Sequence, residues 1–349
     1  MNKRIIGLDI LRDIGVIFIF CYHFTVEYIF TALGTDPAMQ TLNYFFNILA
    51  RPASLFLFVI SGYALMYNYE DTLSVGKFYL RRFKGLFIPF YVAYTLMFLA
   101  SFAVNNVCVG NMVPLSRFIY TILGIDGVMY LVNSNFYLVG EWFMSGIVVC
   151  YLLFPLLARL MKKFKYIVLA VLLIWYVIFL FFFNPFGFSQ LMNPLLVMVY
   201  FYMGMLLYDL LKDRKILPSV KWGCGIFSIL VWIYFLLAGY APQIMPLKPS
   251  VEGGEILNII WSLAMIIALR DVEIAPEKRI YKMITYVSGI SWYVILLHHR
   301  IMILLYTHYS VELYSRRETF TMFLLTVALT WVASIAVRKL SAKLKMAIS

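Results

Sequence analysis

Long apolar runs separated by short polar connections make up most of the sequence. Runs of spanning length fall at residues 8–30, 44–67, 84–104, 135–157, 166–183, 191–211, 222–238, 255–270, 283–307 and 319–337. A helix of about 20 apolar residues crosses the hydrocarbon core of a bilayer. The pattern therefore predicts an all-α, polytopic membrane bundle of about ten transmembrane helices. We see no soluble second domain, so we expect one membrane domain over residues 1–349 with its core at about 5–337.

Basic residues are concentrated in alternate connections between these runs. The basic segments contain Lys3 and Arg4; Lys77, Arg81, Arg82 and Lys84; Arg159, Lys162, Lys163 and Lys165; Lys212, Arg214, Lys215 and Lys221; Arg270, Lys278, Arg279 and Lys282; and Arg338, Lys339, Lys343 and Lys345. Cytoplasmic loops of membrane proteins carry an excess of Lys and Arg. The pattern predicts that both termini are cytoplasmic and that residues 105–134 and 239–254 are on the outer side, where part of 105–134 could form a re-entrant or interfacial segment.

Composition and charge agree with a membrane protein. The chain is 63% hydrophobic and 13% charged, whereas soluble domains have about a quarter charged residues. Its net charge is +12, but the basic residues lie in alternate connections, where they set the orientation of the helices in the membrane. We therefore expect the lipid bilayer as a partner and no nucleic acid. The four cysteines, Cys21, Cys108, Cys150 and Cys224, lack the spacing of metal ligands, and we expect no metal.

Arg12 and His23 are unusual because they lie within the first apolar run, "LDILRDIGVIFIFCYH". Eleven residues of α-helix bring the chain back to within about 20° of the same face, about 16 Å further along the axis. Taken alone, Arg12 fits an anchor paired with Asp9 or Asp13, and His23 fits a histidine bonded between helices. Neither explanation accounts for the shared face, which favours a functional role for both residues.

Further ionisable residues are expected at the depth of His23. Glu141 lies in "GEWFMSG", and His298, His299 and Arg300 lie in "ISWYVILLHHRIMILLY". Counting from the outer ends of their runs places Glu141 about 9 Å and the other three about 10–14 Å below the outer surface. Ionisable groups inside a membrane usually line a cavity or pair with one another. The pattern thus predicts a polar cavity open to the outer face, with an ion pair such as Glu141–Arg300 as the structural alternative.

Five segments resemble, in order, the motifs of the acyltransferase-3 family of integral membrane O-acyltransferases. "LDILRDIGVIFIFCYH" resembles the first-helix signature, in which an Arg and a His are separated by ten residues. The others are "LFLFVISGYALM", similar to the Ser-Gly motif; "FYLRRFKGLFIPFY", similar to the basic stretch followed by Ile-Pro-x-Tyr; "GEWFMSG", similar to the Trp motif; and "VSGISWYVILLHH", which resembles the late His motif and aligns His298. The resemblance covers about residues 5 to 335. Gly85 stands where the family usually has a second Arg.

The resemblance implies transfer of an acyl group, acetyl in most members, from cytoplasmic acetyl-CoA or another acyl-CoA to a hydroxyl of an extracytoplasmic glycan. His23 would then be the catalytic base, since imidazole has an ordinary pKa of about 6.5. Either Glu141 or His298 would orient it, and either His299 or Arg300 would stabilise the oxyanion. The residues expected to hold the donor are Arg12, Ser61, Arg81, Arg82 and Lys84, although Ser61 and Gly62 also suit close helix packing.

The sequence therefore predicts a multi-pass O-acetyltransferase of the plasma or inner membrane. We expect acyl-CoA to be a substrate and no cofactor to be bound permanently. A proton-coupled transporter or exporter of polysaccharide or solute, with His23, Glu141 and His298 as a proton relay, is the alternative from another class. A non-catalytic scaffold would not explain ionisable residues at one depth. The acceptor, the acyl group and the oligomeric state are left open.

Overall fold

The computed structural model describes residues 3–29, 36–106, 109–110, 112–183, 193–240, 252–309 and 314–348. Within these ranges the chain is helical and has no β-strand, which confirms the predicted all-α class. The helices are α1 (Ile6–Phe24), α2 (Pro37–Tyr69), α3 (Val75–Asn105), α4 (Phe118–Leu123), α5 (Asp126–Met129), α6 (Glu141–Phe181), α7 (Pro194–Leu211), α8 (Pro218–Tyr240), α9 (Glu252–Leu269), α10 (Arg279–His308) and α11 (Arg316–Ala347). A π-helical turn at Thr25–Ile29 follows α1, and a 3-10 turn at Leu115–Arg117 precedes α4.

Several of these helices have the length and composition of membrane spans. Among the described residues, seven qualify: Pro37–Tyr69, Val75–Val104, Trp142–Phe179, Pro194–Leu211, Pro218–Leu237, Arg279–His308 and Arg316–Ala347. The segment Trp142–Phe179 covers two predicted runs, and the backbone departs from helical angles between them at Phe164 (φ −129°, ψ 27°). These helices indicate a multi-pass membrane protein. The total of about ten spans and the cytoplasmic termini stay predictions.

The chain forms two compact units, each assembled from separate stretches of sequence. The first unit consists of Met1–Phe18, Asn47–Ser74 and Val149–Ser288. The second consists of Ile19–Phe46, Val75–Val148 and Gly289–Ser349. Helices α1, α2, α6 and α10 each contribute residues to both units.

In the first unit, α2 and α7 approach each other through a pair of glycines. A Cβ atom on Gly62 would lie 1.9 Å from the carbonyl oxygen of Phe201, and one on Gly204 would lie 1.9 Å from that of Val59. Such backbone-to-backbone contact requires residues without a side chain, as at small-residue interfaces between membrane helices. Gly62 of the Ser-Gly motif therefore serves helix packing.

Charged residues at the helix ends of the first unit are engaged with one another. Lys165 Nζ lies 2.9 Å from Asp209 Oδ2, and Lys212 Nζ lies 3.2 Å from Asp209 Oδ1. Arg270 Nη1 donates to the carbonyl oxygen of Leu211 at 2.9 Å, satisfying one of the carbonyls that a helix C-terminus leaves without an intrahelical partner. Several basic residues of the predicted connections thus have structural partners.

In the second unit, α11 packs against α3 with a face rich in small hydroxyl side chains. Its buried residues are Thr319, Met322, Thr326, Thr330, Ser334, Val337 and Ser341. They recur every three or four residues and so share one helix face. Apolar side chains such as Phe320 (61% exposed) and Val332 (65% exposed) point away from the unit. A polar inside and an apolar outside are typical of a helix that faces lipid.

The connection before α6 is folded onto the beginning of that helix. The backbone N–H of Val128 donates to Ser145 Oγ at 3.3 Å, and Asn135 Nδ2 donates to the carbonyl oxygen of Asp126 at 3.1 Å. Asp126 is buried (1% exposed), and this burial raises the pKa of its carboxyl group to about 7. The segment expected to lie outside the membrane therefore has its own ordered structure, while its depth relative to the bilayer stays a prediction.

Candidate active site

Three histidines come together in the second unit. The ring of His23, near the end of α1, lies 5.1 Å from that of His298 and 4.4 Å from that of His299, measured between centroids. His298 and His299 follow one another on α10, with their centroids 6.4 Å apart. Two helices that are distant in sequence thus build one imidazole cluster, as the common depth of these residues predicted.

His298 has its orientation and tautomer fixed by its own helix. The side chain is 1% exposed, and Nδ1 lies 2.9 Å from the carbonyl oxygen of Val294, one turn earlier. A carbonyl oxygen only accepts hydrogen bonds, so Nδ1 carries the proton and Nε2 is the basic nitrogen of the neutral ring. Phe20, with its ring centroid 6.0 Å away, packs against the imidazole.

His299 has a carboxylate partner that the sequence did not reveal. Its Nε2 lies 3.3 Å from Glu27 Oε1, and both side chains are about a quarter exposed at 24%. Glu27 belongs to the π-helical turn Thr25–Ile29. It comes four residues after His23, and that spacing was the only signal in the sequence that could have placed it near the cluster.

Arg300 is held by a buried hydroxyl group. Its Nε and Nη2 donate to Ser101 Oγ at 3.2 and 2.8 Å, and Ser101 Oγ donates in turn to the carbonyl oxygen of Met97 at 2.7 Å. Ser101 is fully buried on α3. Glu141, considered as an ion-pair partner for Arg300, has its side chain outside the described residues. The contact to Ser101 orients the guanidinium, and because the serine hydroxyl is neutral it does not compensate the positive charge.

Arg12 belongs to a hydrogen-bonded network in the first unit. Its Nη1 donates to Asp9 Oδ1 and to Ser288 Oγ, both at 2.8 Å. Ser288 Oγ donates to the same oxygen of Asp9 at 2.7 Å, and Arg4 Nε donates to Asp9 Oδ2. Pairing with Asp9 is therefore present, and it fixes one edge of the Arg12 guanidinium. Ser288 was not expected, because nothing in the sequence links it to α1.

Comparison with known proteins gives the family. A family model described as an acyltransferase domain matches residues 5–338, nearly the whole chain. The chain belongs to the acyltransferase-3 family. A search of curated proteins and a search of solved structures each gave no match. Family membership confirms the predicted family and, together with the apolar helices, identifies a multi-pass membrane acyltransferase.

The expected donor residues of the acyltransferase have different surroundings. Ser61 Oγ lies 3.0 Å from the hydroxyl oxygen of Tyr151 in the first unit. In the second unit, the Arg82 guanidinium lies over the ring of Phe78, 5.7 Å from its centroid, and Lys84 Nζ donates to the carbonyl oxygen of Ile348 at 3.3 Å. Arg81 is exposed. Binding of a donor by these residues stays a prediction.

Two glycines of the acyltransferase motifs have opposite surroundings. Gly140 has φ +88°, which favours glycine, and a Cβ atom there would lie 3.0 Å from Met144 Cβ. It fixes the turn that leads into α6, whose first residue is Glu141. A Cβ atom on Gly85, by contrast, would have no heavy atom within 4 Å. The fold therefore leaves space for at least a methyl group at that position.

Proposed function

We propose that this acyltransferase moves an acetyl group from cytoplasmic acetyl-CoA to a hydroxyl of a glycan at the outer face of the cell membrane. The observation that carries the proposal is the cluster of His23, His298 and His299, with Glu27 bonded to one ring. A group of imidazoles with a carboxylate is suited to accepting a proton from a hydroxyl near neutral pH. The side chains of His299 and Glu27, each 24% exposed, leave this side of the cluster accessible to a substrate.

The proposed chemistry is a direct transfer. His23 takes the proton of the acceptor hydroxyl while the oxygen forms a bond to the thioester carbonyl carbon. The tetrahedral oxyanion is stabilised by donors of the cluster, for which Arg300 and His299 are the candidates. The C–S bond then breaks, the electron pair leaves with the CoA sulfur, and the imidazolium returns the proton to that sulfur. The products are the acetyl ester and free CoA, and the histidine ends as it began.

Arg12 supplies the charge expected for a polyanionic donor. It lies eleven residues before His23 on the same helix, which corresponds to about 16 Å along the axis. Both of its hydrogen bonds in the described part of the chain use Nη1. A guanidinium has five N–H donors and binds phosphate oxygens in a bidentate fashion. We propose that the remaining donors bind the phosphates of CoA, with Ser61, Arg81, Arg82 and Lys84 as further candidate contacts.

The test is release of free CoA by purified protein in detergent, supplied with acetyl-CoA and a series of glycan acceptors. We expect acceptor-dependent release, reduced by about 10²–10⁴-fold in His23→Gln, which keeps a hydrogen-bonding group but removes the base. The matched control is His308→Gln, since His308 is exposed at the end of α10. An absence of release with every acceptor, combined with solute flux into vesicles, would favour the transporter.

A further inference from the structure

We infer that Glu27 is a positioning residue, which acts through His299 to orient the imidazole cluster and to balance the charge it gains during the reaction. This inference rests on the proposed function and extends it to a residue outside the five motifs. The inference is based on the hydrogen bond between Glu27 and His299 and on the ring contact between His299 and His23. Glu27 Oε1 accepts a hydrogen bond from His299 Nε2, and the ring of His299 lies closest to that of His23 within the cluster.

The local backbone explains how a carboxylate reaches this position. In a regular α-helix, residues four apart lie one above the other on the same face. After Phe24 the chain changes to π-helical hydrogen bonding over Thr25–Ile29, and this turn holds Glu27 beside α10. Short π-helical turns in helices occur often at functional sites. Tyr28, in the same turn, donates to the carbonyl oxygen of Met302 at 2.9 Å and so fixes the turn to α10.

The hydrogen bond sets the tautomer of His299. A carboxylate accepts from Nε2–H, so the neutral ring presents Nδ1 as its basic nitrogen, and the protonated ring presents Nδ1–H as a second donor. The ring planes of His299 and His23 are inclined by only 32°. Fixing the ring of His299 therefore restricts the ring of His23 that packs against it, whereas the carboxylate of a catalytic triad bonds directly to the histidine that acts as base.

The charge around the cluster gives Glu27 its second role. When a histidine accepts the proton of the acceptor, the cluster gains a positive charge, and Arg300, the residue that follows His299 on α10, already carries one. Among the described residues, the titratable groups in contact with the cluster or with Glu27 are His23 and Tyr22 of α1, His298 of α10 and Tyr28 of the π-helical turn. Among these described groups, Glu27 supplies the negative charge that favours the protonated cluster.

Glu27→Gln tests the inference, with Glu273→Gln as the matched control because Glu273 is exposed and pairs with Lys3. We expect kcat to fall by about 10²-fold, with the KM for acetyl-CoA within about twofold of wild type. The acid limb of the pH–rate profile should move to lower pH, because without the carboxylate the histidines stay neutral to lower pH. Glu27→Asp should recover part of kcat. The double variant with His299→Gln should be no slower than the slower single variant.

Two outcomes would overturn the inference. The first is an unchanged kcat and an unchanged pH profile in Glu27→Gln. The second is a lower kcat together with a lower melting temperature, an altered KM and an unchanged pH profile. That second result would show that the contact is purely structural. If wild-type protein releases no CoA, the proposed function has failed instead. The contact is then tested by ¹⁵N spectra of the four histidines, with His299→Gln assigning the signal. The Nε2–H signal of His299 should shift in Glu27→Gln, because a charge-assisted hydrogen bond is replaced by a neutral one, and an unchanged signal would refute the role of Glu27.

Discussion

Replacing Gly62 by alanine distinguishes the two roles that a Ser-Gly motif can have, close helix packing and close approach of a ligand. The added methyl group would lie 1.9 Å from the carbonyl oxygen of Phe201, whereas ordinary contacts begin near 3.4 Å. Helices α2 and α7 must therefore separate locally by about 1.5 Å. The opposing atom belongs to the backbone, so no side-chain rotation can relieve the overlap.

The expected cost follows from this geometry. Overpacking of a close contact destabilises a protein by about 1–3 kcal/mol, and alanine recovers at most about 1 kcal/mol through its higher helix propensity. Because the overlap is with backbone, the cost lies at the upper end of that range, and we expect Gly62→Ala to lose about 2 kcal/mol of stability, seen as a lower melting temperature of the detergent-solubilised acyltransferase. The KM of the folded fraction for acetyl-CoA should stay within about twofold of wild type.

Two matched substitutions complete the experiment. Gly204→Ala should destabilise to a similar extent, because its Cβ would meet the carbonyl oxygen of Val59 at the same 1.9 Å, although Gly204 lies outside the motif. Gly85→Ala meets nothing within 4 Å, so its stability should stay the same or rise. An unchanged melting temperature for Gly62→Ala together with a raised KM would show that the glycine admits a ligand, and would refute the packing argument.

Two further predictions concern the donor and the orientation. Arg82→Ala should raise the KM for acetyl-CoA about tenfold through loss of a charge-assisted contact, and the difference from wild type should shrink at high salt. The control is Lys278→Ala, which changes an exposed basic residue. An unchanged KM for Arg82→Ala would mean that the basic stretch only determines the orientation of the protein in the membrane. In a cysteine-free background, Lys163→Cys should resist an impermeant thiol reagent in intact cells while Ser116→Cys reacts; labelling of the former from outside would contradict cytoplasmic termini.

The hydrophobic pattern predicted where helices occur better than where they begin and end. The run at 84–104 is the apolar part of α3, which begins at Val75, because a basic segment can be helical without contributing to hydropathy. The runs at 135–157 and 166–183 share α6, since no helix-ending residue separates them and only Phe164 departs from helical angles. Apolar periodicity records burial in lipid or protein, whereas helix boundaries depend on capping and on neighbouring chain.

The site was predictable only where spacing along one helix or a known motif carried the information. His23, His298 and His299 were expected at one depth, and the structure brings their rings within 4.4 to 6.4 Å. The side chains that orient His299 and Arg300 were missed. Ser101 and Glu27 bond to α10 from other elements, and such contacts depend on helix packing and on a π-helical turn that composition does not reveal.

On α11, the residues that hold this acyltransferase together are separate from the residues that face the surrounding lipid. Its inward face is made of side chains such as Thr326 and Ser334, whose small size allows close packing. Its outward face, with Phe320 and Val332, only has to be compatible with the surrounding medium. Compatibility with lipid and architecture are therefore encoded on opposite sides of the helix, so that polar substitutions on the outward side should leave the packing of the inward side as it is.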